Sequence, residues 1–108
     1  MRILLDECVD EELRHCFGAH HCQTCRYAGL KGLTNGRLLA AAEQAGFDVP
    51  ITVDQNLPHQ QSLQGRAISI VVLQARTTTF DDLVALIPDA LDALEVMKPG
   101  DIIRISVR

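Results

Sequence analysis

Short aliphatic runs, each closing on a polar or acidic residue, recur along this chain and alternate with stretches of helical periodicity. The first is Ile3-Leu4-Leu5, which stops at Asp6 and Glu7. Three or four aliphatic residues suit a strand buried on both faces and are too few for a helix. From Val9 to Phe17 the apolar positions 9, 13, 16 and 17 take helical spacing. Acids fill the opening turn of that segment, where the helix dipole favours them, and Gly18 is its stop. His20 to Thr24 is a weak strand by composition, but it fits the alternation between two helices. Residues 26–33 contain two glycines and read as an ordered loop. Thr34 or Asn35 then caps a helix with apolar positions 38, 39, 41, 42 and 45, ending at Gly46.

Val49-Pro50-Ile51-Thr52-Val53 forms the next strand and ends on Asp54. Pro58 suits a first helical turn and Gly65 a stop, which predicts a short polar helix between them. Ala67 to Leu73 is the most continuous aliphatic stretch and predicts a central, doubly covered strand. Thr77 to Thr79 open the last helical region, with Asp81 and Asp82 in its first turn. Pro88 must kink or divide that region, because proline lacks the amide donor and clashes with the preceding turn. After Pro99-Gly100, Ile103, Ile105 and Val107 alternate with Arg104, Ser106 and Arg108, the period of a strand with one partly exposed face.

Strands and helices thus alternate throughout, which predicts an α/β fold: a three-layer α/β/α sandwich around a mostly parallel sheet of about five strands. Strands 2–5, 49–53 and 67–73 are expected in its interior and 102–107 at or near an edge. The length of 108 residues suits a single domain spanning 1–108, folding alone or as a small oligomer such as a homodimer. Two strands that both end on acids are expected to deliver Asp6, Glu7 and Asp54 to one rim, and the C-terminal ends of parallel strands are where such sheets place ligands.

Composition narrows this picture. At 47% hydrophobic and 22% charged residues, the chain is an ordinary globular sequence. No apolar run approaches the roughly 20 residues of a membrane span. The N-terminus carries no export pattern, so the expected location is cytoplasmic. The net charge of −4 argues against a broad nucleic-acid surface, although Arg14, Arg26, Lys31 and Arg37 leave room for a small basic rim beside the acids. Cys8, Cys16, Cys22 and Cys25 crowd the first quarter, and Cys22-Gln23-Thr24-Cys25 has the spacing of a zinc knuckle or redox pair. No second such pair completes four ligands, so reduced, buried thiols are the expected reading.

The opening Ile3-Leu4-Leu5-Asp6-Glu7, the loop from Arg26 to Gly36, and Ile51-Thr52-Val53-Asp54-Gln55-Asn56-Leu57 together resemble the small bacterial PIN-like proteins of the DUF5615 type. The resemblance covers nearly the whole chain and lies in the order and spacing of these segments. It implies a PIN-like fold and, by extension, the chemistry of PIN nucleases and toxin ribonucleases, in which acids at strand ends hold Mg²⁺ or Mn²⁺ and RNA is cleaved. On that pattern Asp6 and Asp54 are catalytic and metal-binding acids, with Glu7 a helping ligand. Asn35, Arg37 and Asn56 are substrate contacts, and an antitoxin-like protein is a partner. The chain departs from the pattern where such families carry a further acid, since Thr34-Asn35-Gly36-Arg37 stands there and the next carboxylate is Glu43. Two functions therefore stay open: a metal-dependent ribonuclease acting as a toxin, or a degenerate PIN-like module that binds a protein or RNA partner without cutting. Each residue also has a structural reading, as a turn cap for the aspartates and an N-cap for Asn35.

Overall fold

The computed structural model describes residues 1–33, 35–56, 63 and 66–107. Five parallel strands form one sheet in the order β2-β1-β3-β4-β5, with β1 at Arg2–Leu5, β2 at His21–Thr24, β3 at Val49–Thr52, β4 at Ile70–Gln74 and β5 at Ile102–Ser106. The helices are α1 at Asn35–Gln44, α2 at Phe80–Val84 and α3 at Ile87–Val96, with a 3₁₀ helix at Glu11–His15. The chain is an α/β fold with its sheet covered on both faces. Ile3, Leu5, Val71 and Leu73 pack to one side with Leu13 of the 3₁₀ helix, Leu83 of α2 and Ala90 of α3. Leu4, Ile70 and Val72 pack to the other with Leu38, Leu39 and Ala42 of α1. The two-residue strand period separates these sets, and both are apolar because both faces are covered.

β1, β3 and β4 lie inside the sheet and β5 at an edge, as the hydrophobic patterns require. Pro50 is accommodated within β3 because pairing with β4 begins beyond it, at Ile51 against Val71. β3 ends at Thr52 and β5 at Ser106, each one residue short of the sequence reading, and larger differences lie elsewhere. The helical segment read from Val9 to Phe17 is a 3₁₀ helix of five residues, capped by Asp10, whose carboxylate accepts from the Glu12 amide at 2.9 Å. Residues 6–20 return to a strand beside β1, and the fully buried Leu13 and Phe17 anchor that crossover against the sheet. β4 begins at Ile70, not Ala67, although the Ser69 amide still donates to Asp48 O at 3.0 Å in step with the β3 register; its hydroxyl turns to Lys98 O at 2.7 Å. At the start of α2 the N-cap position is Thr79. Thr79 makes no side-chain cap bond, and Thr77 instead donates to Asp82 at 2.6 Å.

Pro88 divides the last helical region, standing in the first turn of α3. Gly46 ends α1 with φ +87°, a left-handed conformation that suits glycine. The polar helix between Pro58 and Gly65, the Thr34 cap and Arg108 lie outside the described residues. No helix among the described residues is long and apolar enough to cross a membrane.

Candidate functional site

β1 has β2 on one side and β3 on the other, so the chain reverses its direction across the sheet between β1 and β3. In doubly wound sheets that reversal opens a crevice beyond the strand ends. Asp6 stands there. Its amide continues the ladder to Ile51 O at 3.0 Å, which fixes the backbone one residue past the strand. Its carboxylate is held by donors on both oxygens. Oδ1 accepts from the Glu7 amide at 2.8 Å, and Oδ2 accepts from the Thr52 hydroxyl at 2.7 Å and from the Cys8 thiol at 3.5 Å.

Thr52 is the last residue of β3 and is fully buried. Its Oγ1 also accepts from the Asp54 amide at 3.0 Å, so one hydroxyl ties the Asp6 carboxylate to the start of the turn that carries Asp54. Asp54 Oδ1 in turn accepts from the Asn56 amide at 2.9 Å, the geometry of an Asx turn. The Cys8 thiol, 3.4 Å from Thr52 Oγ1, has its pKa raised, chiefly by burial and further by the charge of Asp6.

Glu7 turns away from this node. Its carboxylate accepts from the Gly32 amide and tethers the loop between β2 and α1. That loop is anchored to the end of β1, with the Cys25 amide bonded to Leu5 O at 3.0 Å, and it closes on itself through the Leu30 amide to Cys25 O at 2.8 Å. Between the loop and the strand ends lies a cleft of about 220 Å³, bearing the acids Asp6, Glu7 and Glu11 and the cations Arg26 and Lys31. A larger groove of about 510 Å³ adjoins it along β2.

The sequence candidates thus separate. Asp6, Glu7, Arg26 and Lys31 share a cleft, and Asp54 reaches the same rim through Thr52 without lining that cleft. Asn56 belongs to the Asp54 turn. Arg37 is exposed in the first turns of α1 and lines neither space. Asn35 is the first residue of α1, and its side chain lies outside the described residues.

Two residues escaped the sequence reading. Glu11 passed as a helix-dipole acid, yet it lines the cleft. Thr52 passed as a strand residue, although a hydroxyl two positions before a strand-end aspartate was the available signal.

Among the described residues no group of three or more His, Cys, Asp or Glu side chains is placed to hold a metal ion. The Cys22–Cys25 spacing does not make one site, because Cys22 packs against one face of the sheet and Cys25 is buried on the other. Burial pushes both thiols from the ordinary 9.0 up to about 12, so both stay protonated at neutral pH. Comparison with protein-family models, with curated proteins and with solved structures finds no match for this chain.

Proposed function

We propose that the rim at the ends of β1 and β3 cleaves phosphodiesters with a divalent cation, and that the chain is a ribonuclease of the PIN-like type. The observation that supports this reading is the link from Asp6 through Thr52 to Asp54, a buried hydroxyl that aligns one carboxylate and begins the turn bearing the other. It lies where a doubly wound sheet takes its ligand. The oxygen donors suit Mg²⁺ or Mn²⁺, because a small hard cation uses one or two carboxylates and completes its shell with water and phosphate oxygens. They do not form an all-protein cage.

Asp6, joined by Asp54 from the turn that Thr52 begins, would hold the ion, which when bound would supply an activated water and offset charge on the phosphate. Thr52 keeps the Asp6 carboxylate in one orientation. Arg26 and Lys31 attract the phosphate, and Glu7 holds their loop through Gly32. The resemblance to toxin ribonucleases adds an antitoxin-like protein as the proposed partner.

A second reading, a PIN-like module that binds RNA or protein without cutting, is favoured by one observation. Glu7 is engaged by Gly32 and Asp54 by Asn56, so no third acid joins the node among the described residues. Mn²⁺ titration separates the two. The nuclease reading expects Mn²⁺ to raise the Tm of the wild-type protein and to support cleavage of a labelled RNA, with both effects lost in Asp6→Asn. A wild-type Tm unmoved by Mn²⁺, with intact RNA, would leave the binding module as the function.

A further inference from the structure

The groove along β2 is built from chemistry that the acid rim does not use. Arg14, His21, Gln23, Arg26 and Tyr27 line it, and Glu11 stands on the wall it shares with the acid cleft. Tyr27 is 80% exposed, the most exposed of the large hydrophobic side chains described. Neither Tyr27 nor Arg26 has a side-chain partner among the described residues. The turn beneath them is firmly held, with the Tyr27 amide donating to Thr24 Oγ1 at 3.1 Å and the Ala28 amide to Thr24 O at 3.0 Å. Arg14 is fixed at the other end by its bond to Glu11 O at 2.9 Å. His21 and Gln23 project together, 3.1 Å apart. β2 is bonded to a neighbour on one side only, so the groove runs along an open edge of the sheet.

We infer that this groove binds single-stranded nucleic acid, with an unpaired base stacked on Tyr27 and the flanking phosphates on Arg26 and Arg14. An exposed aromatic ring that shares a groove with two guanidinium groups offers a stacking face to any base and charge to the backbone. A duplex keeps its bases stacked internally and cannot use that ring. A volume of about 510 Å³ lies within the range of sites for small ligands, so the groove has room for a nucleotide. Glu11, Thr24 and Arg26 line both spaces, which makes the groove continuous with the acid cleft. A strand seated on Tyr27 is therefore led toward Asp6, and this last step rests on the nuclease reading.

Fluorescence anisotropy with labelled single strands of about twelve nucleotides, as RNA and as DNA of the same sequence, tests the groove in EDTA, where metal-dependent cleavage is silent. The wild-type protein should bind single strands and be displaced poorly by duplex. Tyr27→Ala should weaken binding about tenfold while Tyr27→Phe retains it, since the ring and not the hydroxyl is used. Arg26→Gln should weaken binding to all sequences and flatten the slope of log K against log salt by about 0.7. Equal affinity for RNA and DNA would support recognition through base and phosphate, and preference for RNA would add the 2′-hydroxyl to the same site.

Failure of the wild-type protein to bind either strand, or wild-type affinity in both Tyr27→Ala and Arg26→Gln, overturns the proposal. Far-UV circular dichroism checks that the variants are folded. Tyr27-dependent binding without Mn²⁺-dependent cleavage supports the groove and removes the nuclease reading. Cleavage that is indifferent to Tyr27→Ala, the one variant confined to the groove, does the reverse.

Discussion

The hydroxyl of Thr52 donates to Asp6 Oδ2 at 2.7 Å from a fully buried position at the end of β3. A neutral side chain with no exposure is thereby dedicated to a charged one at the sheet's C-terminal rim. Hydrogen bonds to charged groups contribute about 1.5–3 kcal/mol, and a buried donor or acceptor left unpaired costs about as much. Thr52→Val keeps the shape and removes the hydroxyl. It should lower stability by about 2 kcal/mol, a Tm fall of roughly 10 °C by calorimetry for a domain of this size.

Asp6→Asn tests the same contact from the other side. Two nearby carboxylates would alone gain from losing one charge, but Asp6 is surrounded by donors from Glu7, Thr52 and Cys8. The amide keeps one acceptor oxygen and loses the charge assistance, so the metal-free protein should lose about 1 kcal/mol in urea titration. A gain in stability would show that repulsion from Asp54 outweighs these bonds.

Glu7 holds the loop between β2 and α1 through the Gly32 amide. Because Glu7 is exposed, Glu7→Ala should change global stability by less than about 1 kcal/mol. The local effect should be larger. Hydrogen exchange at the Gly32 amide should accelerate while the amides of β4 stay protected, since loops open independently of core strands.

Gly46 closes α1 with φ +87°, and a Cβ there would meet Arg2 Nη1 at 2.6 Å. That guanidinium donates to Ala45 O at 2.8 Å and lies 4.7 Å from the centre of the Phe47 ring. Gly46→Ala combines left-handed strain with displacement of Arg2 and should cost about 1 kcal/mol or more in urea titration. Arg2→Ala in the same background should relieve the clash but not the strain.

Cys22 and Cys25 have thiol pKa values raised by burial to about 12. Unfolding returns them to the ordinary value of 9.0, so between these limits the unfolded chain has lost protons that the folded chain keeps. Stability is then full below about pH 9 and falls as pH rises toward 12. The Tm measured from pH 8 to pH 11 should decline, and Cys22→Ser should make the decline shallower. In native protein at pH 8, the buried Cys25 should react with a thiol reagent only as fast as the chain opens.

The alternation of aliphatic runs with helical periodicity was enough to determine the α/β class, the interior places of β1, β3 and β4, the edge position of β5 and the break at Pro88. Those features follow from local chemistry: a run apolar at every position needs cover on both faces, and proline cannot continue a helix. Hydrophobic period also located the strand ends, and with them Asp6 and Asp54. What surrounds those acids was decided by contacts distant in the chain. Thr52 meets Asp6 across forty-six positions, Gly32 reaches Glu7 across twenty-five, and Glu11 enters the cleft because a short crossover tightens into a 3₁₀ turn. The split of Cys22 from Cys25 is tertiary as well, since their spacing suggests a pair and the sheet puts a face between them. A sequence states which residues can bond, but strand order fixes which of them meet, because only the packed sheet brings distant strand ends to one rim.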